Sequence, residues 1–240
     1  TRTPSSAASD VYKRQMYEAL RPFAPSAGAA IPTPREVTRL VDILPHVDAL
    51  VLDGFGVINV GASRIDGIVE FFEAAAAQEV AVTVLTNGAG QGADASWAKY
   101  RDWGLPIARH QVVSSRDALE AALPEVVGSR HVASLGPMAR QLGIAGELTF
   151  AADPDLFERA DCFAFLGSAG WDEALQARLE SALSRGDVDL LVGNPDISAP
   201  LGGAFSAEPG YWALRAMQAT GVRPYSVSYT HLTLPTKVYV

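Results

Sequence analysis

A chain of 240 residues and 25.4 kDa is long enough for one large domain or two small ones, with a core that needs no disulfide. Apolar residues at 48% and charged ones at 19% suit a globular protein and exclude a disordered one, while a net charge of −8 argues against a general nucleic-acid binder. The single Cys162 excludes a disulfide framework and a cysteine-based zinc site and points to the cytoplasm; no apolar run has the length of a membrane span or a signal peptide.

The predicted elements run as follows. Glu36 to Leu44 carries apolar residues at helical spacing and is expected to stop at Pro45. Val47 to Leu52 is a short apolar run leading into Asp53-Gly54-Phe55-Gly56, which reads as a buried strand ending in a glycine-punctuated loop. A helix is predicted over Ile65–Gln78, with Ile68, Phe71, Phe72 and Ala75 on one face. A strand over Val80–Leu85 ends at Thr86-Asn87-Gly88, a helix over Asp94–Trp103 stops at Gly104, and a short strand over Gln111–Val113 ends at Ser114-Ser115.

The pattern then restarts. Helices are predicted over Arg116–Leu123, Pro137–Leu142, Asp172–Ser184 and Gly210–Thr220, and strands over His131–Leu135, Cys162–Leu166 and Asp189–Val192. In the helix from Asp172, Leu175, Leu179 and Leu183 recur every four residues. Strands alternating with helices at this spacing imply a mostly parallel sheet covered on both faces.

Composition shifts at both ends. Alanine is frequent up to Ala219 and then absent, no acidic residue follows Glu208, and the lysines are Lys13, Lys99 and Lys237. Ser226 to Val240 contains no Ala, Gly, Asp, Glu or Arg.

In open α/β sheets ligands bind beyond the carboxyl ends of the strands. Asp53, Thr86-Asn87 and Asn194-Pro195-Asp196 each stand at such an end. A carboxylate there, followed by glycines, serves either as an exposed nucleophile or metal ligand or as the cap of the next turn. Gly54, Gly56 and Gly61 do not have the dinucleotide spacing, and Gly167-Ser168-Ala169-Gly170 lacks the first glycine of a nucleophile elbow. His46, His110, His131 and His231 have no ligand spacing, Cys162 reads as a packing residue, and Ser114 and Ser115 read as helix caps.

The run LVLDGFGVINVGASRIDG over 50–67 resembles the first motif of the haloacid dehalogenase (HAD) superfamily, and more narrowly its class IIA branch of 4-nitrophenylphosphatase-like proteins. VTVLTN over 82–87 resembles the second motif; QVVSSRDAL over 111–119, FLGSAGW over 165–171, Asn194-Pro195-Asp196, Glu208-Pro209-Gly210 and Ala219-Thr220-Gly221 follow in the branch's order. The resemblance covers roughly residues 36–225. It implies a Rossmann-like α/β core over 45–117 and 190–225, an inserted α/β cap of the C2 type over 118–189, and a lead-in over 16–44.

The activity so implied is Mg²⁺-dependent hydrolysis of a small phosphate ester through an aspartyl-phosphate. Asp53 would be the nucleophile and, with the Phe55 carbonyl, a Mg²⁺ ligand; Gly54, Gly56, Thr86 and Asn87 would bind the phosphoryl group. Trp171, Asn194 and Asp196 are further candidates for substrate contact. The partners implied are a phosphorylated small molecule and a second copy meeting the first through the cap, with neither nucleic acid nor membrane.

Three departures bear on this. Phe55 stands where phosphatases of the superfamily carry an aspartate as general acid and base, a group typically worth about 10²–10⁴-fold. A lysine expected shortly after Thr220-Gly221 and a later acidic metal motif have no counterpart. SDVYKRQ near the start and SYTHLTLPT near the end resemble translated sequencing-adapter read-through, so residues 1–15 and 226–240 are expected to be non-native and the fragment inactive. Two other outcomes follow from Phe55: a non-catalytic relative that binds phosphate ligands, or a dehalogenase-type displacement at carbon.

Overall fold

The computed structural model describes residues 36–136, 142–150, 152–201 and 204–226. The expected non-native segment 1–15, nearly all of the tail from Ser226, and the helix predicted over Pro137–Leu142 apart from its last residue lie outside these.

A 3₁₀ helix over Leu40–His46 opens the described chain and contains Pro45, which the sequence pattern treats as its end. Strand β1 (Ala49–Asp53) leads through a small hairpin, β2 (Asn59–Val60) and β3 (Ser63–Arg64), into helix α1 (Ile68–Ala77). Strand β4 (Ala81–Thr86), helix α2 (Ala93–Asp102) and strand β5 (Val112–Ser114) complete a first unit. The three longer strands form a parallel sheet in the order β1-β4-β5. Its register sets Asp53 beside Leu85 and Thr86 beside Ser114, so all three strands end at one edge. Leu52, Val82 and Val84 pack against Ile68, Phe71, Phe72 and Ala75 of α1 and Tyr100 of α2. Both helices therefore cover the same face, as right-handed crossovers running in one direction along a sheet require.

Helix α3 (Ser115–Val127) follows β5 directly and is capped by Ser114, whose Oγ accepts from the Asp117 amide at 3.1 Å. That bears out the capping role expected of Ser114. The second unit then adds β6 (Val132–Leu135), β7 (Glu147–Thr149), α4 (Leu156–Arg159), β8 (Cys162–Phe165), α5 (Glu173–Leu183) and β9 (Asp189–Val192). A hairpin of β10 (Ser198–Leu201) and β11 (Ala204–Ala207), helix α6 (Pro209–Thr220) and strand β12 (Tyr225–Ser226) end it. Its sheet has the order β12-β9-β8-β6-β7, parallel throughout. Counted within the unit this is the 2-1-3-4-5 order of doubly wound folds.

Alternation along β8 explains the layering. Cys162 and Ala164 face α3 through Leu119, Leu123 and Val127, while Phe163 and Phe165 face the helices α4, α5 and α6. Burial holds the Cys162 thiol protonated, pushing its pKa up to about 12, as a packing role requires.

One expectation is corrected. The alternating strands build two units, as expected, and among the described residues only the sheet of the second is covered on both faces. Residues 190–225, expected to return to the first unit, instead supply β9 and β12 to the second, because Val192 pairs with Phe165 and Ser226. A strand's sequence states that it is buried but not which neighbour buries it.

Candidate active site

The carboxyl ends of the two sheets face each other across a cleft of about 500 Å³. Loop 87–92, following β4, bridges them. Asn87 donates through Nδ2 to Asp196 Oδ1 at 3.0 Å, and Arg116 of α3 donates to the Ala89 carbonyl at 3.3 Å. A side chain on Gly193 would start 2.9 Å from the Ala89 Cβ, so glycine permits that close approach.

Asp53 projects from the end of β1 into the cleft. Desolvation between the strand ends raises its pKa above the ordinary carboxylate value, and the Gly54 and Phe55 amides oppose that shift by hydrogen bonding to it. Thr86, 8% exposed, ends the adjacent strand. Its Oγ1 accepts from the Gly88 amide at 3.2 Å, so its own O–H is left to donate toward an acceptor in the cleft. Phe55 also lines the cleft and brings no titratable atom there.

Gly54 sits where space is short. A Cβ there would meet the Tyr100 hydroxyl at 2.8 Å and the Thr86 Cβ at 3.2 Å. Tyr100, 1% exposed, therefore brings its phenol up against the turn that carries Asp53. Burial and the Asp53 charge push its pKa up to about 12, so it stays a hydrogen-bond donor at neutral pH.

The far wall is polar. The Asn194 side chain accepts from the Asp196 amide at 3.0 Å and donates to Glu208 Oε2 at 3.2 Å, and Ser206 donates to the other oxygen of Glu208. Asp196 is shifted upward by burial first, then by the charges of Asp53 and Glu208, with the Asn87 bond opposing. Gly210 cannot carry a side chain, since its Cβ would fall 2.0 Å from the Pro195 carbonyl oxygen. The Asn194-Pro195-Asp196 and Glu208-Pro209-Gly210 stretches are thus one packed turn.

Asp53, Phe55, Thr86, Asn87, Asn194 and Asp196 all line the cleft. Gly54 and Gly56 do not: their amides donate to the Leu85 carbonyl at 2.8 Å and the Asn59 carbonyl at 2.7 Å, so they shape the turn behind Asp53. Trp171 is also elsewhere. It is buried in the second unit's core, tilted against Phe165 with its indole N–H donated to Gln176 Oε1, because an aromatic that large fills the space under α5. Sequence reasoning missed Ser96, Lys99 and Tyr100, which line the cleft from α2. Their spacing of three and four residues on a helix leaving the Thr86 loop was the available signal.

The chain is therefore an α/β protein of Rossmann-like type, with a strand-end carboxylate facing a second α/β unit that follows its third strand. Residues 50–142 match the family model for haloacid dehalogenase-like hydrolases. No curated protein sequence matches it. Among solved structures, a "possible sugar phosphatase" of the HAD superfamily from Cytophaga hutchinsonii superposes with a TM-score of 0.68 at 22% identity, over 78% of this chain and 69% of that one. The 4-nitrophenylphosphatase of Thermotoga maritima gives 0.61 at 20% identity, over 78% and 69%. A glycerol phosphate phosphatase of Mycobacterium tuberculosis, in complex with magnesium, gives 0.59 at 20%, over 77% and 55%. At such identities the likeness is one of fold. Among the described residues no helix is long and apolar enough to cross a membrane.

Proposed function

We propose that the cleft binds a small phosphate ester and that Asp53 attacks its phosphorus. The observation that carries this is the presence in one cleft of a strand-end carboxylate and the buried Thr86 hydroxyl, whose oxygen accepts from the Gly88 amide and leaves its proton to donate. One oxygen of Asp53 forms a bond to phosphorus as the ester P–O bond breaks, and water then releases phosphate from the aspartyl-phosphate. Thr86 donates to a phosphoryl oxygen throughout. The similarity of fold to sugar, nitrophenyl and glycerol phosphate phosphatases supports the substrate class.

The donor set fits a hard cation. The cleft offers oxygen ligands only, and among the described residues no three His, Cys, Asp or Glu side chains gather to hold an ion by themselves. A site of one or two carboxylates completed by water suits Mg²⁺, which Asp53 and the Phe55 carbonyl would hold. Bound there, Mg²⁺ supplies neutralisation of the phosphoryl charge.

Phe55 has no proton for the leaving oxygen, so phosphates of acidic alcohols should turn over faster than alkyl phosphates. Assays of aryl and alkyl phosphates with Mg²⁺ test the proposal. Asp53→Asn should abolish turnover, and Phe55→Asp should raise it, more for alkyl than for aryl esters. Turnover unchanged in Asp53→Asn would refute the nucleophile. Phosphate binding without any turnover in the parent and in Phe55→Asp would favour a binding protein, the reading that Phe55 itself motivates.

A further inference from the structure

We propose that Lys99 is the residue that draws the anionic ligand into the cleft and holds its charge there. This rests on the phosphate-ester reading above. The walls carry three carboxylates, Asp53, Asp196 and Glu208, and a dianion entering between them meets like charge on both sides. Lys99 is the one basic side chain among the described residues lining the cleft.

Several other cations of both units are ion-paired elsewhere. Arg109 pairs with Asp94 and Asp117, Arg116 with Glu120, Arg130 with Asp189, and Arg215 with Glu173. Lys99 has no acidic or hydrogen-bonding partner among the described residues. Its ammonium instead lies 5.1 Å from the centre of the Tyr100 ring and 5.2 Å from that of Trp103. Those rings hold the side chain in place without neutralising it. A half-buried ammonium with aromatic neighbours and no counter-ion has lost water and gained little in exchange, and desolvation lowers its pKa accordingly. An anion in the cleft would supply the missing partner. Because Tyr100 also reaches the Gly54 turn, one helix face joins the lysine to the strand end that carries Asp53.

Inorganic phosphate is the probe. Calorimetric titration with Mg²⁺ present should show Lys99→Met binding phosphate about tenfold more weakly or worse, with a shallower salt dependence, while Lys99→Arg stays within about threefold of the parent. An independent readout needs no variant: phosphate should slow acylation of Lys99 while leaving Lys13 and Lys237 of the same chain unaffected, as followed by mass spectrometry. Parent-like phosphate affinity in Lys99→Met, with unprotected Lys99, overturns the assignment and leaves the phosphate site standing. Absence of phosphate binding by the parent overturns both.

Discussion

The two parallel sheets are built from similar residues and treated differently by the rest of the chain. In the second, β6 and β8 are buried along their whole length, with α3 on one face and α4, α5 and α6 on the other. In the first, α1 and α2 cover one face, and the opposite face leaves Val51 45% exposed. Parallel sheets are ordinarily buried on both sides. Among the described residues, the unit that carries Asp53 is therefore the less covered of the two, and the unit that roofs the cleft holds the larger core. Position along the chain explains the asymmetry: β1, β4 and β5 follow one another across the sheet in one direction, so their crossovers lie on one side, whereas the strand order of the second unit reverses at β6 and places cover on both.

The sharpest way to break this comparison is a pair of truncations. Phe163→Ala in the second sheet should cost about 3–5 kcal/mol, and Val51→Ala on the bare face well under about 1 kcal/mol, measured by denaturant unfolding. Equal costs would mean that the first sheet is covered in solution. Next in size is Gly54→Ala. The added methyl meets the Tyr100 hydroxyl and Thr86, and overpacking of this kind costs about 1–3 kcal/mol. Phosphate binding should fall with it, since Thr86 and Asp53 shift together.

The smallest expected effect is on pH dependence. Asp53 and Asp196 both have raised pKa values in the folded protein. Their contribution to stability is thus fully present below the ordinary aspartate value of 3.8 and is lost as the pH rises through the raised values. Asp196→Asn should make the stability profile flatter over that window than the parent's, while Asp161→Asn, which removes an exposed carboxyl whose pKa His131 lowers, should alter it in the opposite sense. Identical profiles for parent and Asp196→Asn would show that burial and the charges of Asp53 and Glu208 do not raise the Asp196 pKa.

Legibility followed range. Strands over 80–85, 162–166 and 189–192 and the helices over 65–78, 172–184 and 210–220 were readable within a residue or a few, because periodicity and bounding glycines are local. The short pieces β2, β3, β7, β10, β11 and β12 were not, since they lack the continuous apolar run that marks β8 and β9. Within the cleft, Asp53 and Thr86 stood out as polar residues ending apolar runs. Lys99 and Tyr100 did not, because on a polar helix nothing local separates a side chain aimed into a cleft from one aimed at water.

By itself, then, the amino-acid order determined an alternating α/β chain, the strand ends and the acidic residue at the first of them, all consequences of side-chain patterning over ten or so positions. Only the tertiary structure decided that β9 and β12 join the second sheet, that Trp171 is core, and that Lys99 lines the same cleft as three carboxylates. Each of these depends on which distant segments meet. That is settled by the summed burial of both partners, a quantity that neither segment carries alone.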